Sequence, residues 1–449
     1  MRFNIVMLLD RNKIPFNHSG IVINFPKIQI ENFNNTKIYK YHDNTQPLVN
    51  FKLNFKSGAV LDKIPGLANF TMSMFQGGTS SMNSSQLSEE FEKLGATYFS
   101  NAYWDECAIG FTCLEKYFDK CLDLVAQCVF DSQFADDEIE RQRQKIAANI
   151  MHNLSDPSYL AQVTFNKGIF LNHPYSNQRT GTLDDVSSIT RNDIVECYKL
   201  MIEKSSTSII VTGNFDDNSF NQKISAKFLP ISNNTGIDAV ESFRRIHSPH
   251  LISAKDESSQ TNLRIGKASI DRKNPDYPAF QVINTIFGGY FLSRLNTVLR
   301  ETKGLTYGIH SYLDSRKYGS AFIISTGINC DKTSESIDDI FEISDKLTSE
   351  KLTNTEIERS VEFMTGSFAR TLETPKQITG LIQTIDSYDL DLSFLSDFYS
   401  RIRQLSADDL IIVQEKYFHS SDYLIAANGD VDYLSSSLSK FGKFEVIAI

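Results

Sequence analysis

The order of short features in the first half of this 449-residue chain returns in the second half, and this repeat constrains the fold more than anything else in the sequence. Phe75-Gln76-Gly77-Gly78 is answered by Ile286-Phe287-Gly288-Gly289, an offset of 211 residues. Glu138-Ile139-Glu140-Arg141 returns as Glu356-Ile357-Glu358-Arg359, an offset of 218. The strand-like IIVTGNFDD (209–217) returns as LIAANGDVD (424–432), and each copy follows an acidic helical stretch, RNDIVECYK or ADDLIIVQEKY. Matches in one order at a nearly constant offset indicate a duplication. Two α+β domains of similar size are therefore expected, with the functional cleft between them.

The local patterns fill in the first unit. LVNFKLNFKSGAV alternates as a half-buried strand does, and Ala96–Leu114 has the composition of a hairpin. Gly66–Thr79 predicts a short apolar helix ending in a Gly pair, and a second helix follows with Leu87, Phe91 and Leu94 on one face. Lys116–Phe130 and Asp136–Leu154 also predict helices, and Thr190 with Asp193 has capping-box spacing. From about Asp216 to Ser258 the chain turns polar and irregular. The division that follows is 1–232, a linker at 233–258, and 259–449.

Composition excludes several classes. A hydrophobic fraction of 41% with 22% charged residues is that of a globular protein, and a net charge of -10 argues against a nucleic-acid surface. The six cysteines form no CxxC pair, and Cys121 with Cys128 has the spacing of helix-face packing. The opening MRFNIVMLLDRNK is too short to span a bilayer, stops at Asp10-Arg11 and lacks a small-residue cleavage site. A cytoplasmic protein without membrane or nucleic-acid partners is expected, with the periplasm as the alternative.

The most informative stretch is IFGGYFLSRLNTVLRETKGLTYG (286–308). Leu292, Leu295 and Leu299 share one face of a predicted helix, Arg300 falls at its end, and Tyr307 lies just past a Lys303-Gly304 turn. That corner can bring a guanidinium and a phenol to one side of a cleft. Taken alone, it reads as an ordinary helix-turn-strand corner with a surface Arg and a half-buried Tyr, and the functional reading rests on the features around it.

Together, these features resemble the pitrilysin/insulinase (M16) family of zinc peptidases, over nearly the whole chain and most closely its short two-domain members that work as paired subunits. The resemblance implies two duplicated domains, each a mostly antiparallel sheet packed with helices. In active members a His-x-x-Glu-His motif on the first-domain helix holds zinc and a general base, and a later Glu completes the site. The matching positions here are Asn69, Met72, Ser73 and Asn149. None suits zinc, so no metal is expected in this chain. Leu299-Arg300-Glu301-Thr302-Lys303-Gly304-Leu305-Thr306-Tyr307, by contrast, fits the family's Leu-Arg-x-x-x-x-Leu-x-Tyr pattern. The resemblance gives Arg300 a substrate carbonyl or carboxylate to hold, and Tyr307 a tetrahedral oxyanion. It also implies a peptide-binding sheet edge at Ser100, Asn101, Ala102 and Tyr103, with Trp104 beside it and Gly288 and Gly289 contributing from the second half.

The expectation is a non-catalytic subunit that lends Arg300 and Tyr307 to a partner with an intact His-x-x-Glu-His site, zinc residing in that partner and peptides being the substrates. The rival is a structural or regulatory pseudoenzyme, core-protein-like or peptide-binding, with no role in proteolysis. His247 and His250 flank Ser-Pro in the linker and are not expected to be ligands.

Overall fold

The computed structural model describes residues 22–33, 36–228, 240–243, 249–254 and 258–449. The N-terminal apolar run, His247 and most of the proposed linker lie outside the described residues. Among the described residues, strands form two six-stranded sheets. The first contains β1 (Gln29–Phe33), β2 (Thr36–His42), β3 (Leu48–Phe55), β4 (Thr97–Ala102), β5 (Cys107–Leu114) and β6 (Thr207–Gly213), in the order β1-β2-β6-β3-β5-β4. The second contains β7 (His250–Ala254), β8 (Gln260–Ser269), β9 (Ile309–Asp314), β10 (Ser320–Asn329), β11 (Leu424–Gly429) and β12 (Phe444–Ile447), in the order β12-β7-β11-β8-β10-β9. The run β2-β6-β3-β5-β4 matches β7-β11-β8-β10-β9 strand for strand. Even the parallel pair is kept, since β2 runs parallel to β6 and β7 to β11. The duplicated, mostly antiparallel α+β architecture is therefore present in the backbone. The copies differ at one edge, where β1 is antiparallel to β2 but β12 is parallel to β7.

The segment expected to be irregular is more ordered than its composition suggests. Asp217–Phe228 is a helix, and His250–Ala254, inside the proposed 233–258 linker, is a strand of the second sheet. His250 is a structural residue: its Nδ1 accepts from the Ile425 amide at 3.0 Å. Polar composition hid a strand whose inner residues, Leu251 and Ile252, pack into the fold.

The alternation in β3 sends Val49, Phe51, Leu53 and Phe55 into an apolar core and Asn50, Lys52 and Asn54 to the other face. Yet that polar face is buried as well. Its cover is the Pro375–Ser387 helix, which comes from the second half and lies over β6, β3 and β2. In return, the Pro157–Ile169 helix of the first half lies over β11, β8 and β7. Each half covers the other's sheet.

Both covering helices begin with Pro at the first turn behind a side-chain cap, Asp156 on the Ser158 amide (2.8 Å) and Thr374 on the Gln377 amide (3.3 Å). Beneath the second-half helix, Thr212 meets Thr379 at 2.7 Å, and Asp386 accepts from Tyr39 Oη at 3.1 Å and from Ser208 Oγ. Lys56 neutralises Asp386 at 2.6 Å. Beneath the first-half helix, Thr164 donates to Ser253 at 2.8 Å and Arg264 to Ser158 Oγ at 2.7 Å. Gly168 lies so close that a Cβ there would stand 2.8 Å from Leu424 and 2.9 Å from Leu251.

Removing one partner of a buried charge pair leaves the other uncompensated. Asp386→Ala should therefore cost about 3 kcal/mol or more in urea unfolding. Asp386→Asn, which keeps an acceptor for the two hydroxyls, should cost less. A loss for Asp386→Ala below about 1 kcal/mol, the scale of an exposed pair, would contradict this account of the contact.

Candidate functional site

The Leu67–Met74 helix carries the positions where the metal motif would stand. Its start is fixed by Asp62, whose carboxylate accepts from the Gly66 amide at 3.2 Å and the Ala68 amide at 2.9 Å. Burial pushes the Asp62 carboxyl up to about 8, against the pull of those backbone donors. Met72, with 1% of its surface exposed, belongs to the apolar core beside Ala68 and Phe75. Ser73 Oγ donates to the Phe70 carbonyl at 2.6 Å, as a helix hydroxyl commonly does. Asn69 is half-buried, and Asn149, on the Asp136–Leu154 helix, is exposed. A thioether locked in a core and a hydroxyl spent on its own helix offer zinc nothing, so the residues present do not fit the metal. Among the described residues, no group of three or more His, Cys, Asp or Glu is placed to hold one.

The expected peptide edge is placed as follows. β4 is the free edge of the first sheet, next to β5 alone. Ser100 Oγ donates to the Met72 carbonyl at 2.6 Å, which ties the strand to the helix. Asn101 is exposed, Ala102 is buried with its carbonyl accepting from Arg179, and Tyr103 is partly exposed. Trp104 is engaged elsewhere: its ring meets Tyr175 edge-on at 5.4 Å and the Arg316 guanidinium at 4.8 Å. It is a clamp between the halves. Gly288 and Gly289 do not join this edge. Gly288 packs against Ser311 of β9, the free edge of the second sheet, where an added Cβ would stand 2.5 Å from Ser311 Oγ.

Arg300 and Tyr307 do come together. Both line a hollow of about 420 Å³ with Gln260, Gly304, Gly327 and Asn329, all from the second half. The helix runs Asn296–Thr302, later than expected: Leu295 and Leu299 are fully buried, but Leu292 precedes it and is 63% exposed. The loop after it depends on Gly304, at φ +63°, where a side chain would be strained. Thr306, which the sequence reading passed over, pins this loop. Its hydroxyl donates to the Gly327 carbonyl at 2.8 Å and accepts from the Gly308 amide at 3.1 Å. With Thr306 turned inward, Tyr307 projects outward, 96% exposed. Arg300 lies over the Phe291 ring at 4.2 Å and, among the described residues, has the exposed Glu301 (3.2 Å) as its one counter-ion. A guanidinium and a phenol thus frame one open hollow, with donors free for a group brought from outside.

Two family models match the chain. One described as Insulinase (Peptidase family M16) matches residues 37–182, and one described as Peptidase M16 inactive domain matches 188–364. The chain is 24% identical over 319 residues to "Uncharacterized zinc protease YmxG" of Bacillus subtilis, covering 70% of this chain and 76% of that one. It is 23% identical over 313 residues to "Probable inactive metalloprotease YmfF" of the same organism, covering 68% and 73%. Among solved structures, a peptidase M16 inactive domain from Pseudomonas fluorescens superposes with a TM-score of 0.83 at 22% identity, covering 90% of this chain and 98% of that one. A protease from Helicobacter pylori superposes at 0.82 with 18% identity, covering 90% and 100%.

The half-buried Asp62 gives a pH signature. Its folded-state value lies above the ordinary carboxylate value, so between about pH 4 and 8 the folded chain holds a proton that the unfolded chain has released. This contribution to stability is complete below pH 4 and is lost as pH rises toward 8. The stability of Asp62→Asn relative to the parent should therefore climb from pH 5 to pH 8 in urea titrations. Parallel pH profiles for the two proteins would rule it out.

Proposed function

The chain belongs to the M16 family of peptidases, and from that premise we propose that it is the non-catalytic subunit of a two-chain zinc peptidase. Its pseudopeptidase character rests on the matched inactive domain and on a relative described as inactive. The finer reading is supported by one observation above others: Arg300 and Tyr307 share a solvent-open hollow whose described lining residues all come from the second half of the chain. A pair placed so serves a group that another molecule carries. In this reading the partner holds zinc on an intact His-x-x-Glu-His helix and supplies the general base. This chain contributes Arg300 to hold a substrate carbonyl or carboxylate and Tyr307 to donate to the developing oxyanion. It also forms half of the enclosing chamber, with β4 as a candidate edge for an extended peptide.

The second reading, a structural or regulatory pseudoenzyme, is favoured by a separate feature. Phe291 and Leu292 stand 59% and 63% exposed beside the hollow, as a contact surface with no chemistry would. In that case Arg300 and Tyr307 are inherited but idle.

Co-expression with a zinc-bearing M16 chain separates the two. Arg300→Ala with Tyr307→Phe should lower peptide turnover of the assembled complex by about 10²-fold or more, the scale of one lost oxyanion donor, while co-elution is unchanged. Unaltered turnover in an intact complex would leave only the scaffold reading.

A further inference from the structure

A cavity of about 680 Å³ lies in the second half and plays no part in the reading above. The repeat shows where it is. Carried across by the offset of 211, Ser73 becomes Asn284, and carried by 218, Asn149 becomes Ser367. Both Asn284 and Ser367 line the cavity. The other two motif positions, carried across by 211, become Phe280 and Ile283, which lie in the core and not on the wall. The cavity sits between the Tyr277–Asn284, Asn354–Arg370, Pro375–Ser387 and Phe394–Ile402 helices.

The walls are hydrophobic and aromatic, with Phe363, Phe368, Leu381, Phe394, Phe398 and Tyr399 prominent. Such a volume and lining are those of a small-molecule pocket. Neutral polar side chains such as Gln281, Asn284 and Gln377 also line it, but its charge is of one sign. The single charged side chain on the wall is Arg272, and no Asp or Glu lines the cavity. The guanidinium donates from Nη1 to Tyr277 Oη at 2.8 Å and lies over the Tyr388 ring at 5.2 Å. Its Nε is buried and, among the described residues, has no hydrogen-bond partner. A guanidinium positioned by two tyrosines on the wall of a largely apolar cavity selects an anion with an apolar body.

We infer that this cavity binds an apolar chain ending in a carboxylate, the carboxylate on Arg272 and the chain among the aromatic side chains. Two sources share that chemistry: a free fatty acid and the C-terminus of an apolar peptide. The site is independent of Arg300, Tyr307 and any partner.

Gly380 supplies the decisive variant. It lines the cavity, and an added Cβ would meet nothing within 4 Å. Gly380→Leu should fold at least as well as the parent, because Gly is the poorer helix former, and should fill the chamber. Calorimetric titration of the full chain would use decanoate below its micelle concentration, methyl decanoate, and a Leu-Leu-Phe tripeptide as free acid and as C-terminal amide. At least one of the two acids should bind about tenfold or more tightly than its neutral analogue, and the tighter acid identifies the source. Arg272→Met should erase that preference, and Gly380→Leu should abolish binding without lowering the melting temperature. Failure of both acids to bind, equal binding of acid and neutral analogue, or undiminished binding by Gly380→Leu would each overturn the assignment.

Discussion

The arrangement rests on a buried carboxylate. Asp386 reaches from a helix of the second half into the first sheet, where Lys56, Tyr39 and Ser208 meet it. A lone ion at that depth would be expelled, and a polar sheet face with no cover would keep its water. Each is tolerable only because the other is present. The mirror contact, with Arg264 of the second sheet held by Ser158 and Gln162 of the first-half helix, follows the same logic. The two units are therefore separate in topology but joined in energetics. Neither sheet has a complete set of hydrogen-bond partners without a helix encoded on the far side of the chain.

This explains what could be read from the sequence and what could not. The repeat was visible because duplicated strands keep their turn residues, and both Gly pairs survive. The strands and most helices followed from alternation and caps, which are local. The exchange of helices has no local sign: nothing in PKQITGLIQTIDS tells the reader which sheet it will cover. For the same reason β3 passed for a half-buried strand, since Lys52 on its polar face donates to Gln383, 331 positions away. His250–Ala254 was lost among polar neighbours because a five-residue strand carries too few apolar positions to stand out.

The site divides in a similar way. The residue types of Arg300 and Tyr307, and their spacing, could be read directly, but the geometry that makes them neighbours around one hollow depends on Thr306 and Gly304, which have no chemical role of their own. Trp104, placed beside the expected peptide edge, packs its ring against Tyr175 and Arg316 and also lines a hollow with Tyr103. Asp62 and Arg272 escaped notice for the converse reason: each is an ordinary charged residue whose importance comes from its setting, a helix start for one and a cavity wall for the other.

The methionine at position 72 sets a limit on redesign. Its side chain is part of the apolar cluster beside Ala68 and Phe75. A glutamate placed there would put an ion into packed hydrocarbon. A hydrolytic centre therefore cannot be installed on this helix by exchanging that side chain alone: the interior around it would have to be repacked first.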